Sequence, residues 1–154
     1  MRIVLWVLAG VFAQQLAASS GAPIPAQPAP ATKASLDFEY FKNQVQPVFL
    51  AKRAGYTRCV VCHTGGGDAG FLQALAPGAT SWTDEQSRKN FEAVSRLVVP
   101  GQPMKSRLLT HPLEPAAGGD EFHNGGRQFT SQDDPQFRTI AAWVTGKTAG
   151  GSEK

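Results

Sequence analysis

The chain has 154 residues, of which 42% are hydrophobic and 18% charged. That balance suits a folded domain with appendages and excludes a wholly disordered chain. No apolar run reaches the roughly 18 residues of a membrane-spanning helix, which excludes a polytopic membrane protein. The net charge is only +3 and the basic residues are scattered, so the stripe of cations expected of a nucleic-acid binder is missing.

The amino-terminal segment has the layout of a secretory signal peptide: Arg2, an apolar stretch from Ile3 to Ala13, then small residues from Ala17 to Ala22. Residues 1–22 are therefore read as a cleaved leader, which makes the protein exported or periplasmic. Such a leader leaves no stable membrane span after cleavage. Residues 23–35, with Pro23, Pro25, Pro28 and Pro30, read as a Pro/Ala-rich linker with too little apolar surface to offset its ordering entropy. Residues 36–147 form the predicted domain, and 148–154 a flexible tail.

Three helices are expected in that domain. The first starts near Ser35 or Asp37, with Phe38, Phe41, Val45 and Val48 on one face and Pro47 as a kink or short break. The second begins after Thr83, which forms a capping box with Gln86, and turns Phe91, Val94 and Leu97 or Val98 inward. Pro100-Gly101 stops it. The third has Asp134 as its cap and Pro135 at its first position, then Phe137, Ile140, Ala141 and Val144 at helical spacing, with Gly146 at the stop. Gly118-Gly119 and Gly125-Gly126 mark the connection between the second and third helices as loop. No period-2 strand and no internal repeat is visible, so the fold class is all-α.

Chemistry enters with Cys59-Val60-Val61-Cys62-His63, which holds the only two cysteines. A disulfide across three residues closes a tiny loop with little to gain. A thioredoxin-like pair needs a βαβ setting, and a structural zinc site needs a second ligand pair. Neither is present. C-x-x-C-H is instead the direct signature of covalent c-type haem (heme c) attachment. Positions i, i+3 and i+4 share one face of a helical turn, so two thiols can meet the two vinyl groups while His63 serves as proximal iron ligand.

With these pieces in place the chain resembles a class I-type monohaem cytochrome c domain. In particular it resembles small exported cytochromes of planctomycete and acidobacterial type. The matching segments are Val45-Gln46-Pro47-Val48-Phe49, Cys59 to His63, Pro100-Gly101-Gln102-Pro103 with Ser106, and Ile140 to Val144 around Trp143. The resemblance implies a bundle of about three to five short helices wrapped around one covalent haem, with long loops. It also implies one-electron transfer between redox partner proteins rather than an enzyme. Many relatives carry a distal methionine in Met-Pro-Pro before the last helix, where this chain has Phe122-His123-Asn124-Gly125-Gly126.

Three side chains compete for the distal position. His123 is preferred, because it lies in the ligand slot of the relatives and its neighbouring glycines permit close approach. His111 is the second choice, its backbone expected to be extended before Pro112. Met104 is the third, expected at the start of a core-facing helix, and an open or water-bound iron is the fourth case. Phe71, Leu72, Leu75, Leu108, Leu109, Phe122, Phe129 and Trp143 are candidates for the apolar haem sleeve. Arg127, Arg107, Lys105 and Trp82 are candidates to bind the propionates. The rival functions are a haem peroxidase or gas-binding protein with an open distal site, and a tethered electron-input subunit of a larger dehydrogenase.

Overall fold

The structure is a computed structural model that describes residues 34–65 and 69–151. The leader, nearly all of the linker and the last residues of the tail lie outside the described residues. Among the described residues the regular structure is helical, with three isolated bridges (Arg53 with Tyr56, Thr64 with Leu72, Leu113 with Phe129) and no strand. The all-α expectation holds at that level. No helix among the described residues is long and apolar enough to cross a membrane.

The first helical run starts where Asp37 accepts a hydrogen bond from Tyr40 N at 2.6 Å. It comprises α1 (Phe38–Tyr40), a π-helical turn (Phe41–Val45) and α2 (Gln46–Leu50). Proline at position 47 has no N–H for the carbonyl of Asn43 and its ring crowds that group. The widened π turn just before it accommodates the misfit, so the expected kink appears as a π bulge without a break in the run. The turn leaves both Phe41 and Val45 with no solvent exposure.

Next come α3 (Cys59–His63) and α4 (Asp84–Ser95). Thr83 Oγ1 accepts from Gln86 N at 3.2 Å while Thr83 N donates to Gln86 Oε1 at 3.1 Å, which completes the expected capping box. The inner face of α4 is less apolar than its pattern implied. Ser87 and Asn90 are wholly buried beside Val94, and Phe91 is only half-buried. Gln46 resolves this, donating to Ser87 Oγ at 2.9 Å and accepting from Asn90 Nδ2 at 3.0 Å. Asn90 Oδ1 in turn accepts from Gln73 N at 2.7 Å. Gln46, Ser87 and Asn90 thus form one connected network, as their burial requires.

The connection to the last helix is not plain loop. It contains a 3₁₀ turn (Pro103–Lys105), the short α5 (Arg107–Thr110) and a second 3₁₀ turn (Pro115–Ala117). Ser106, fully buried, holds this region by accepting from Val99 N and donating to Gln102 O, both at 2.9 Å. His111 is helical (φ −65°, ψ −44°) rather than extended, because its N–H closes α5 on the carbonyl of Arg107. That bond outweighs the steric bias from Pro112.

The last helix, α6 (Pro135–Val144), has the expected cap: Asp134 Oδ1 accepts from Gln136 N and Phe137 N. It ends in a Schellman pairing of Gly146 N with Trp143 O and Lys147 N with Ala142 O. Trp143 lies against Phe41 (ring centroids 5.1 Å apart) and Phe91 (6.0 Å), and donates its indole N–H to Asp37 O at 2.9 Å. The first run, α4 and α6 therefore meet at one indole. Trp143→Ala should cost about 3–5 kcal/mol in denaturant unfolding. Thr83→Ala, which removes one cap, should cost about 1 kcal/mol.

Candidate functional site

A cavity of about 540 Å³ opens between α3, α5 and the loop that carries His123. One wall is α3. Its Val60 is buried in the core, which turns Cys59, Cys62 and His63 onto the cavity surface. Cys59 is half-buried, Cys62 is exposed, and the two are free thiols. Burial pushes the Cys59 thiol above its ordinary range, against the opposing pull of a backbone hydrogen bond and Arg53, so it is a protonated thiol at neutral pH.

His63 is oriented by the chain just after it. Its Nδ1 lies 2.6 Å from Ala69 O, an atom that can only accept, so Nδ1 donates and in the neutral ring Nε2 carries the lone pair. The peptide carbonyl of His63 accepts from Phe71 N and Leu72 N, which holds the following segment against α3. Across the cavity His123 repeats the arrangement, with Nδ1 donating to Gly126 O at 2.5 Å. A backbone carbonyl on the far nitrogen is the usual support for a metal-binding imidazole.

The two rings are 6.3 Å apart between centroids and 19° from parallel. A five-membered ring with bonds of about 1.33 Å has its atoms roughly 1.1 Å from its centre. With metal–nitrogen bonds of about 2.0–2.1 Å, two imidazoles on opposite sides of one ion are roughly 6.3 Å apart. His63 and His123 have that separation. His111 is also at the cavity, 4.9 Å from the His123 ring, and its Nδ1 pairs with Asp120 Oδ2 at 3.0 Å, a support of the same kind. Among the described residues no group of three His, Cys, Asp or Glu side chains converges as a metal site of its own.

Burial pushes His123 below the ordinary histidine value, and His111, His63 and Arg127 nearby add to that. The hydrogen bond to Gly126 opposes it. The neutral, ligand-competent form is the favoured one. Gly125 contributes by having no side chain: a Cβ there would lie 3.1 Å from His123 Cε1.

Of the expected sleeve, Phe71, Leu108 and Phe129 line the cavity. Trp143, Leu109 and Leu72 are buried in the core away from it, and Leu75 is half-buried elsewhere. Phe122 is 71% exposed, because turning His123 inward turns its neighbour outward. Phe49, Leu97 and Ile140 supply apolar wall that the sequence reading did not assign. Of the expected cationic donors, Arg107 lines the cavity, joined by the unanticipated Arg58. Trp82 donates instead to Gln73 O, and Arg127 to the carbonyls of His111 and Glu121. Met104 and Lys105 lie in a separate surface groove with Gln132 and Phe137. Met104 is in a 3₁₀ turn and 38% exposed, not at the start of a core-facing helix.

The segment leading into Cys59 is anchored by Arg53, whose guanidinium pairs with Asp134 Oδ2 at 2.5 Å and donates to Gln136 Oε1 at 3.1 Å. It also lies over the Tyr56 and Phe129 rings. No protein-family model matches the chain, and neither a curated protein nor a solved structure matches it.

Burial raises the Asp134 carboxyl, but the bonds from Arg53, Gln136 and Phe137 outweigh it and hold the group below the usual carboxylate range. A carboxyl so depressed stabilises the fold fully above its unfolded value of about 3.9 and loses that contribution as pH falls through the folded value. Asp134→Asn should therefore lower stability by about 1–3 kcal/mol at neutral pH and narrow the difference from the parent at acid pH. Urea unfolding at pH 7 and pH 3 measures both.

Proposed function

We propose that this chain is an exported monohaem c-type cytochrome that carries single electrons between redox partner proteins. Cys59 and Cys62 would hold the haem covalently, and His63 and His123 would hold its iron. The observation that carries this reading is the pair of imidazoles. They face each other at single-ion separation across an apolar cavity whose wall bears both thiols. The helical fold would then be a cytochrome c-like bundle, and the first and last helical runs packed at Trp143 would form its frame.

The residues present fit the group. Both Nδ1 atoms are committed to carbonyls, so each Nε2 is left as a donor, and the two thiols share α3 with His63. Haem bound here supplies an iron that exchanges one electron between its ferrous and ferric states. The chain's part is to hold both imidazoles oriented through their Nδ1 bonds and to exclude water with Phe49, Leu108 and Phe129. Arg58 and Arg107 supply positive charge for the carboxylates of the group. With His63 and His123 both holding the iron, no open position would remain for a substrate, which favours a carrier over a peroxidase. Nitrogen in place of a thioether sulfur sets a lower potential than His/Met ligation.

The protein secreted from a host that attaches c-type haem should give a haem stain on a denaturing gel. Replacing Cys59 and Cys62 together with alanine should abolish it, and a stain that survives would end this reading. The ferric spectrum should be low-spin and stay so below pH 6.5, because the depressed pKa of His123 lets iron outcompete the proton there. His123→Ala should give a high-spin or water-ligated ferric form and carbon monoxide binding in the ferrous form. His111→Ala should leave the spectrum low-spin. Rapid stoichiometric carbon monoxide binding by the parent would favour an open-site haem protein instead.

A further inference from the structure

We infer that Gln128 is a positioning residue that sets the distance between the two imidazoles; this rests on the function proposed above. Gln128 is 6% exposed and lines the cavity, yet it is neither a ligand nor a member of the helical core. Its Nε2 donates to Thr57 O at 3.1 Å and to Gly125 O at 3.3 Å. Thr57 lies two residues before Cys59, on the α3 side. Gly125 lies two residues after His123, on the opposite side. One amide thus joins the wall that carries His63 to the loop that carries His123.

Both partners are carbonyl oxygens, so the side chain must present its two N–H groups. Hydroxyls supply one donor and carboxylates none at neutral pH. Gln128 itself is held by its neighbour: Phe129 N donates to Pro112 O and Phe129 O accepts from Glu114 N. The strap is therefore fixed at its base and reaches both walls. The His123 loop has few other ties. Gly126 N bonds back to His123 O within the loop, and Arg127 reaches the carbonyls of His111 and Glu121. Among these, the Gln128 amide is the bond that spans to the α3 side.

If Gln128 sets the spacing, losing its donors should loosen the His123 side while leaving haem attachment to Cys59 and Cys62 intact. Gln128→Glu keeps the shape and removes both donors at neutral pH, and Gln128→Met removes them without adding charge. The full secreted haem protein should then bind carbon monoxide in its ferrous form at least about tenfold faster than the parent, as the loss of one or two hydrogen bonds implies. Amide exchange should rise at residues 123–126 in both variants. Thr83→Ala serves as the comparison: it removes the cap of α4, which does not line the cavity, and should lower the melting temperature without speeding carbon monoxide binding.

Haem stain as strong as the parent's, with faster carbon monoxide binding in both Gln128 variants and not in Thr83→Ala, supports the inference. Equal stain with carbon monoxide binding unchanged in both Gln128 variants overturns it and leaves the function standing. The same acceleration in Thr83→Ala overturns it too, since general loosening would then be sufficient. A parent without haem stain overturns the functional reading itself.

Discussion

A buried indole must satisfy its N–H, and the structure is organised around how Trp143 does so. Trp143 has no solvent exposure and donates to Asp37 O, the peptide group of the residue that caps α1. That bond joins two points 106 residues apart in sequence. Packed on Phe41 and Phe91, it brings three helical segments into one apolar cluster. Full burial of side chains of this size contributes about 1.5–3 kcal/mol each, and a tilted aromatic pair adds roughly 0.5–1.5 kcal/mol. The rest of the chain is irregular enough to need such an anchor.

On this frame the cavity is assembled from segments with little regular structure. The loop before α3 is tied to the start of α6 by Arg53 and Asp134. The segment after α3 is tied to α4 through Gln73 and Asn90. The His123 loop is tied across to Thr57 through Gln128. Each tie is a side chain satisfying a partly buried backbone or charged group, which gains more than an exposed bond would. Polar side chains thus shape the wall of an apolar cavity. The apolar residues there fill space, while the polar ones decide where the walls stand.

The arrangement also bears on the three histidines at the cavity. His63 and His123 each give Nδ1 to a carbonyl and keep Nε2 free, whereas His111 gives Nδ1 to a carboxylate. The resemblance preferred His123 by its place in the chain, and the structure brings both His123 and His111 to the cavity. The ring separation from His63 and the near-parallel planes favour His123. Burial, and then the nearby His111 ring 4.9 Å away, lower the pKa of His123.

Much was legible in the chain by itself. The three longer helices could be placed from apolar spacing and caps, because Thr83 with Gln86 and Asp134 with Pro135 are local signals whose bonds close within a few residues. The cysteine pair with His63 was equally plain, since one helical turn dictates that spacing. Other features were decided by contacts distant in sequence. The polar centre of α4 is acceptable only because Gln46 lies opposite Ser87 and Asn90. Trp143 went to the core and Phe122 to solvent although both are aromatic, because burial depends on what faces a residue. The strap through Gln128 joins residues 71 positions apart. Local pattern reports how a segment can fold; which polar atom meets which carbonyl, and so how far apart two imidazoles stand, is set only when the whole chain has packed.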